Sequence, residues 1–282
     1  MSLFARFADI DQQAVWLSPY RQIHRALTQD LQDGLSLAVW LNDYFAKQNL
    51  TLLSGTGEPV SFTDQSDLPH GVAYEAYIAQ HHKIPTRDNL HDWFGACIWS
   101  VFPKAKAMLN AHHLKHLHDN QAGNGRNRIR DAITVFDENG VIVATSLPQI
   151  KTALYGFDWQ NALVSPREHW HNPNAVKPCQ IQATIFGHAL LEQLITPRKN
   201  LCGHAMVVVV DDGFFALDES AKLAILDEKV AQLLDEWLSQ ADSTPRDLQP
   251  LPILGVPYFW QGQDDAFYAD TQVFRAGRQQ KS

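Results

Sequence analysis

Hydrophobic residues recur at helical spacing along several segments of the chain. The clearest segment predicts a helix from Asp88 to about Trp99, with a buried face formed by Leu90, Trp93, Phe94 and Cys97. Pro103 then suits the first turn of a second helix that extends to about Leu117. Similar patterns predict helices within residues 19–48, over residues 181–195 and around residues 230–238.

Other segments carry the pattern of β-strands. The apolar residues around the sequence DENG (Asp137 to Gly140) predict a hairpin over residues 129–146, with Asp137 and Glu138 serving its turn. Consecutive valines predict a buried strand over Met206–Val210. A short strand is predicted at Val60–Phe62, and we favour a strand over a helix for Ala73–Gln80.

Helices and strands that follow one another without regular alternation predict an α+β protein. We expect mixed helices, a β-hairpin and a small sheet. The 282 residues suffice for a substantial core, and we expect a single interlocked domain over residues 1–282. If an internal boundary exists, the polar, Trp- and Pro-rich stretch 147–178 is the best place for it.

Composition narrows the functional classes. A net charge of −8 gives no general basic field, so we do not expect the protein to bind duplex nucleic acid. The three cysteines form no CxxC pair, which argues against a disulfide framework. We find neither a signal peptide nor an apolar run of about 18 residues, so we expect a cytoplasmic protein that does not enter a membrane.

The most unusual polar cluster lies at the start of the helix predicted from Asp88. Asp88, His91, Asp92 and Gly95 follow the i, i+3, i+4, i+7 spacing and therefore share one stripe of that helix. Gly95 leaves room for a ligand beside the three polar side chains. We therefore predict a site with His91, Asp88 and Asp92 as candidate catalytic residues.

Two kinds of role fit this cluster. His91 with a carboxylate forms a general acid–base pair, and the same imidazole and carboxylates suit a metal ion. Arg87 and Asn89 lie at the helix N-terminus, which favours anions. In the structural alternative, Asp88 caps the helix, Arg87 pairs with Asp92 or another acid, and His91 bonds a buried carbonyl.

Further residues are candidates for completing the site. Lys104 and Asn110 follow on the next predicted helix, and Arg130 and Asp131 lead into the predicted hairpin. Alternation would place the three arginines of RNRIR, Arg126, Arg128 and Arg130, on one strand face. That face is either an anion clamp or a charged edge strand.

Histidines supply two weaker candidates for a metal site. The sequence HHLKHLH contains His112, His113, His116 and His118, and the i, i+4 pair within it can share a zinc ion. A solvated helix end explains the same residues. His188, Glu192 and His204 form a second possible set, for which we favour an internally hydrogen-bonded histidine.

Four blocks of this sequence resemble a known family. The blocks are PTRDNLHDWFGACIWSVFPKAKAMLN, IRDAITVFDENG, FGHALLEQLITP and PLPILGVP, and they resemble the signatures of a bacterial, mainly proteobacterial, domain-of-unknown-function family. The resemblance covers the chain from about Glu75 to Arg275 and implies a cytoplasmic bacterial protein. It does not indicate an activity, a cofactor or a fold. Gly95 stands where that family usually carries Asn.

Together these observations favour a polar site around Arg87–Asp92. The best functional interpretation is a hydrolase or lyase that acts on an anionic small molecule, with His91 as the acid–base group and Arg87 as the anchor. The alternative is a non-catalytic binding or interaction protein whose polar cluster is structural. Single-stranded nucleic-acid binding is a third reading, with Trp170, Trp260 or Tyr258 as stacking platforms. Whether a metal or cofactor is bound, and the oligomeric state, are left open.

Overall fold

The computed structural model describes residues 6–32, 34–116 and 128–277. Ten α-helices have both bounds within these residues, and we number them in chain order: α1 Arg21–Asp30, α2 Leu37–Lys47, α3 Tyr74–His81, α4 Leu90–Val101, α5 Pro103–Lys115, α6 Arg128–Asn139, α7 Pro148–Tyr155, α8 His188–Gln193, α9 Glu219–Leu238 and α10 Asp265–Tyr268. None of them is long and apolar enough to cross a membrane.

Seven strands form two small mixed sheets, which confirms the α+β class. The strands are β1 Leu52–Leu53, β2 Pro59–Asp64, β3 Lys83–Thr86, β4 Gly140–Thr145, β5 Ile181–Ile185, β6 Cys202–Val209 and β7 Gln249–Pro252. The first sheet has the order β1-β2-β3, with β1 and β2 antiparallel and β2 and β3 parallel. The second has the order β5-β4-β6-β7, in which only β4 and β6 run parallel.

The helix predicted from Asp88 is confirmed as α4. Its Leu90, Trp93, Phe94 and Cys97 are buried at 2% exposure or less. Pro103 occupies the first turn of α5, as predicted. The carboxylate of Asp227 on α9 accepts hydrogen bonds from the backbone N–H groups of Lys104 and Ala105, so α9 caps the otherwise unsatisfied start of α5.

The hairpin predicted over residues 129–146 is wrong. Residues up to Asn139 form α6, and β4 begins only at Gly140. The buried residues of α6 recur at i, i+3, i+4 and i+7, namely Ile129, Ala132, Ile133 and Phe136. This helical period includes Phe136, which the β alternation leaves out, so it describes the segment better. Arg128 and Arg130 therefore lie on a helix, and Arg126 lies outside the described residues.

Two further assignments need correction. Residues 74–81 form helix α3, which ends where His82 adopts a left-handed backbone with φ of 56°. The helix predicted over residues 181–195 is a strand, β5, followed by the short helix α8. The sequence of β5, Ile-Gln-Ala-Thr-Ile, alternates apolar and polar residues as a strand does, and the helical prediction overlooked this short period.

The predicted strands at Val60–Phe62 and Met206–Val210 fall within or overlap β2 and β6. Most of the valines are buried, but Val209 is 49% exposed. Residues 147–178 include α7 and a π-helical turn at Gln160–Val164. Hydrophobic residues from Phe7 to Phe274 belong to one connected core cluster, and the domain division itself stays a prediction.

Gly187 allows the chain entering α8 to touch the end of α6. A Cβ atom on Gly187 would lie only 2.4 Å from the carbonyl oxygen of Glu138 and 2.5 Å from Cα of Asn139. The backbone N–H groups of Phe186 and Gly187 both donate to the carbonyl of Gly140, at 2.9 and 2.8 Å. This approach fixes the position of α8 relative to α6.

Phe94 provides a test of the core. We expect Phe94→Ala to lower the free energy of unfolding by about 3–5 kcal/mol, because a fully buried aromatic side chain is lost. Val39→Ala is the control, since Val39 is 62% exposed and its loss should change stability by less than about 0.5 kcal/mol. Urea denaturation measures both, and equal effects would contradict the assignment.

Gly187 provides a second test. We expect Gly187→Ala to destabilise the protein by about 1–3 kcal/mol, because the new methyl group meets backbone atoms that have no room to move. The matched control is Gly95→Ala in α4, where a Cβ has no atom within 4 Å. That change should stabilise by about 0.5–1 kcal/mol, as alanine favours a helix interior. Thermal unfolding that ranks the two variants in the opposite order would refute this close contact.

A buried histidine makes stability depend on pH. Burial lowers the pKa of His24 from 6.5 to about 4, and its Nδ1 accepts a hydrogen bond from the indole N–H of Trp93 at 3.2 Å. The unfolded chain therefore binds a proton more readily than the folded one between these values. The contribution of His24 is complete above pH 6.5 and is lost as pH falls towards 4, by about 3 kcal/mol in total.

We expect His24→Gln to remove this dependence while keeping an acceptor for Trp93. Between pH 7 and 4, the stability difference between the two proteins should shift towards the variant by up to about 3 kcal/mol. Urea denaturation at several pH values measures this shift. Parallel pH profiles for the two proteins would contradict it.

Candidate functional site

A cavity of about 390 Å³ opens among α3, α4, α5 and α6. Its wall combines apolar residues, among them Trp99, Leu109 and Ile133, with polar and charged ones. The charged and titratable residues of the wall come from five different elements: Arg87, His91 and Asp92 at α4, Tyr74 and Glu75 on α3, Lys106 and His113 on α5, Arg130, Asp137 and Glu138 on α6, and His188 on α8. The fold thus gathers residues that lie more than a hundred positions apart in the sequence.

His91 is held at both of its ring nitrogens by one short helix. Nδ1 lies 3.2 Å from Oε2 of Glu192, and Nε2 lies 3.1 Å from Nε2 of His188. His188 and Glu192 stand at i and i+4 on α8 and therefore face the same side. The side chain of His91 is 34% exposed, whereas that of His188 is only 12% exposed. His91 is therefore the more accessible of the two rings.

His188 connects His91 to the last turn of α6 in the wall of the cavity. Its Nδ1 lies 2.7 Å from the backbone carbonyl oxygen of Asp137, one of the carbonyls that the last turn of α6 leaves unsatisfied. Burial lowers the pKa of His188 to about 4, although the Asp137 carboxylate acts in the opposite direction. His188 is therefore a neutral imidazole near pH 7.

Lys106 and Asp137 form an ion pair beside these histidines. Nζ of Lys106 lies 2.5 Å from Oδ1 of Asp137 and 5.6 Å from the centre of the Trp99 ring. Burial opposes ionisation of Asp137, but Lys106 and His188 outweigh it and hold the pKa of this carboxyl below its usual value. The wall therefore contains a fixed carboxylate at the end of the histidine pair.

Asp92 has the structural role described by the alternative interpretation of the cluster, in which its carboxylate pairs with Arg87. The guanidinium of Arg87 donates from Nε and Nη2 to the carboxylate of Asp92, at 3.0 and 2.8 Å, and the backbone N–H of Arg87 donates to it as well. The hydrogen bond from Arg87 to Asp92 raises the pKa of the guanidinium. Nη1 of Arg87 takes part in neither of these side-chain bonds. Asp92 is thus engaged in holding Arg87, while Arg87 keeps a donor at the cavity.

Asp88 and Asn89 serve the backbone. Asn89, and not Asp88, caps α4, since its side-chain oxygen accepts from the backbone N–H of Asp92 at 2.8 Å. The carboxylate of Asp88 accepts from the backbone N–H of Leu37 at the start of α2, also at 2.8 Å. Neither residue lines the cavity.

Of the other four predicted site residues, two line the cavity and two do not. Asn110 and Arg130 line the cavity, whereas Lys104 and Asp131 do not. Asn110 is 2% exposed and donates to the carboxylate of Glu75 at 2.5 Å while accepting from Gly55 at 2.8 Å. Asn110 thus orients Glu75. Lys104 points away and pairs with Glu228 on α9.

The proposed metal sites have no support in the geometry. Across residues 6–32, 34–116 and 128–277, no three His, Cys, Asp or Glu side chains are grouped to hold a metal ion. In the HHLKHLH segment, His112 is buried and its Nε2 lies 2.8 Å from Asp235, while His113 lines the cavity. His118 lies outside the described residues.

The stacking platforms proposed for a single nucleic-acid strand do not form a surface. Trp170 is 2% exposed, and its indole N–H donates to the carbonyl of Ala162 at 3.0 Å. Tyr258 lies beneath the guanidinium of Arg167 at 4.9 Å. Only Trp260, at 41% exposure, presents a free ring. Trp170 is therefore a core residue.

Sequence reasoning missed part of the cavity. Lys106, Glu75 and Asp137 were not among the predicted site residues, and Asp137 was assigned to a hairpin turn. The i, i+4 spacing of His188 and Glu192 was visible, but nothing in the sequence connected it to His91, which lies 97 positions from His188. The missing information is the packing of α8 against α4 and α6.

Comparison with known proteins gives a family and no activity. No curated protein and no solved structure matches the chain significantly. A family model described as a protein of unknown function, DUF3025, matches residues 60–278. This match spans most of the chain and includes every element that lines the cavity, so the chain belongs to the DUF3025 family of proteins of unknown function.

Proposed function

We propose that the protein is an enzyme, a hydrolase or a lyase, that acts on a small anionic molecule bound in the cavity, with His91 as the acid–base group. The observation that carries this proposal is the contact of His91 with Glu192 and His188. A carboxylate that holds one nitrogen of a partly exposed histidine at a cavity wall orients the ring as in a general acid–base pair. A location in the bacterial cytoplasm is part of the same proposal, and the family resemblance described above supports it.

The cavity has a size suited to a small molecule. Ligand pockets usually enclose about 300–1,000 Å³ and combine apolar walls with a few fixed polar groups. Here Trp99 and Ile133 supply apolar wall, and Gly95 leaves open space beside His91. A bound molecule at this position would touch His91 directly.

Two arginines support an anionic substrate. Arg87 lines the cavity and keeps Nη1 outside its pair with Asp92. Arg130 lines the same cavity from α6. A guanidinium group can hold a carboxylate or phosphate through two parallel N–H groups, so Arg87 is the better anchor of the substrate than the ammonium of Lys106, which is paired with Asp137. The acids of the wall limit the cationic field, so a substrate of low charge fits best.

Asp92 and Asp88 do not belong to the proposed catalytic group. Their carboxylates hold Arg87 and the start of α2, as described above. Asp137 and Glu192 take the place of these acids beside the histidines. This reassignment keeps His91 and Arg87 in the roles that the sequence suggested.

A non-catalytic binding protein is the second candidate. The pairs Arg87–Asp92 and Lys106–Asp137 favour it, because internally satisfied charges are typical of a structural network. Such a protein would bind a ligand in the cavity and release it unchanged. Product analysis after ligand binding separates the two candidates.

The proposal is tested by ligand-induced thermal stabilisation. We expect at least one member of a panel of mono- and dicarboxylates, phosphomonoesters and inorganic phosphate to raise the melting temperature, because binding to the folded state stabilises it. His91→Gln and Arg87→Gln should each reduce that shift strongly. Lys104→Gln is the matched control, since Lys104 bears the same charge but faces Glu228 outside the cavity.

Incubation of the stabilising compound with the protein, followed by mass spectrometry, then tests for reaction. Conversion that is lost in His91→Gln and kept in Lys104→Gln supports the enzyme. A bound but unchanged ligand would favour the binding protein. Shifts that Lys104→Gln abolishes as strongly as His91→Gln does would place the ligand elsewhere and refute the proposal.

A further inference from the structure

We infer that the substrate is a zwitterion, a small molecule that carries a primary ammonium group in addition to its anionic group, and that Glu75 binds the ammonium. This inference rests on the proposed function for the cavity and for the anionic end of the substrate. It adds the second end, which follows from a carboxylate that is fixed in place but has no cationic partner.

The charge of the cavity wall is the first observation. In the described part of the chain, three arginine or lysine side chains line the cavity, against four carboxylates: Glu75, Asp92, Asp137 and Glu138. The wall therefore has no surplus of positive charge for a ligand that is purely anionic. A ligand that brings a positive charge of its own complements such a wall better.

The carboxylates of the wall differ in their partners. Asp92 pairs with Arg87 at 2.8 Å, and Asp137 pairs with Lys106 at 2.5 Å. Glu75, in contrast, forms no ion pair with any lysine, arginine or histidine that the structure describes. Its negative charge is therefore left for a ligand.

A neutral amide holds Glu75 in place. The backbone N–H of Gly55 donates to Oδ1 of Asn110 at 2.8 Å. Because a backbone N–H can only donate, this contact fixes which end of the amide is the oxygen. Nδ2 of Asn110 therefore donates to Oε2 of Glu75, at 2.5 Å. Asn110 is 2% exposed, so its side chain is locked between the loop backbone and the carboxylate.

Gly55 allows the loop between β1 and β2 to lie against α5. A Cβ atom at Gly55 would lie 2.2 Å from the backbone nitrogen of Ala111 and 2.5 Å from its Cα. Any other residue would push the loop away from Asn110 and break its hydrogen bond. The backbone itself thus supports a device that orients the carboxylate of Glu75 without neutralising it.

The second oxygen of Glu75 is open. Oε1 has no hydrogen-bond partner within residues 6–32, 34–116 and 128–277, and it is not a buried atom. Since Glu75 lines the cavity, an ammonium group in the cavity can donate to Oε1 while Asn110 keeps Oε2. A carboxylate accepts such charge-assisted hydrogen bonds at both oxygens.

A structural role for Glu75 is the alternative. Glu75 lies in the first turn of α3, where the helix dipole stabilises a carboxylate. The dipole does not require a fixed orientation of the side chain, which Asn110 nevertheless provides. This alternative predicts that loss of the charge lowers the stability of the ligand-free protein and leaves the choice of ligand unchanged.

Glu138 is the comparison within the same cavity. It lines the wall from α6 and also forms no ion pair with a described cationic residue. No side-chain hydrogen bond to a described residue orients its carboxylate. Glu138 therefore contributes to the general field, whereas Glu75 offers a positioned contact.

The test compares ligands that differ only in the ammonium group. The pairs are glycine and acetate, β-alanine and propionate, γ-aminobutyrate and butyrate, and aminoethyl phosphate and ethyl phosphate, so the separation of the charges varies. Thermal shift and calorimetric titration of the full-length protein measure binding. We expect at least one aminated compound to bind about tenfold or more tightly than its partner, as a hydrogen bond to a charged group provides.

The parent protein alone can overturn the inference. Equal binding within every pair would do so, and so would the absence of stabilisation by any aminated compound. Glycolate and hydroxyethyl phosphate replace the ammonium by a hydroxyl group. If they bind as tightly as glycine and aminoethyl phosphate, hydrogen bonding suffices and the ammonium is not the recognised group.

Variants test the role of Glu75. Glu75→Gln keeps the shape of the side chain and an acceptor for Asn110, and we expect it to lose most of the preference for the aminated compound. Glu138→Gln should keep the larger part of the preference, and Glu228→Gln on α9, outside the cavity, should keep all of it. Equal losses in Glu75→Gln and Glu138→Gln would overturn the assignment to Glu75. A less stable Glu75→Gln protein with the full preference would support the structural alternative instead.

Failure of this inference is distinguishable from failure of the proposed function. A preference for the ammonium group without conversion of any compound would leave the inference standing and refute the reaction. Conversion of a compound without any such preference would refute the inference and leave the reaction standing.

Discussion

The contact between Gly187 and the end of α6 is the constraint on which the site depends. Without a side chain at position 187, the chain leaving β5 lies against the backbone of Glu138 and Asn139, and α8 begins at once. His188 then reaches a carbonyl in the last turn of α6, and Glu192 reaches His91 one helical turn later. The hydrogen bond between His188 and the carbonyl of Asp137 satisfies an otherwise unpaired acceptor at the end of α6 and orients the histidine ring.

The polar residues in and beside the cavity form two groups with different physical roles. The first group stabilises the starts of α4 and α2. Asp92 pairs with Arg87, and Asn89 and Asp88 accept hydrogen bonds from backbone N–H groups. His91, His188 and Glu192 form a row of nitrogen and oxygen atoms in which one nitrogen–nitrogen contact joins two rings of the same kind. The second group is open to a bound molecule, since the side chain of His91 is 34% exposed.

Much of the fold was predictable wherever one face of an element is apolar and the other polar. The helix α4 and the first turn of α5 follow from spacing and from Pro103 alone. The hairpin prediction was wrong because the sequence of α6 fits two patterns. Ile133 and Val135 alternate as in a strand, whereas the helical period ends at Phe136. The turn-like sequence DENG favoured the strand interpretation. Strand β5 was missed although its five residues alternate apolar and polar, because Leu190 and Leu191 of α8 follow closely and extend the apolar segment to the length of a helix.

The site was predictable only in part, because the residues that contact His91 lie far from it in the sequence. His91 stands out locally because a polar stripe and Gly95 accompany it on one helix. Its partners lie 97 and 101 positions away, on a helix of only six residues, and their own spacing says nothing about what they face. The carboxylates nearest to His91 in sequence are occupied with backbone and arginine, so proximity along the chain pointed to the wrong acids. What selects Glu192 is tertiary packing, which places a carboxylate on the one nitrogen of His91 that His188 leaves free.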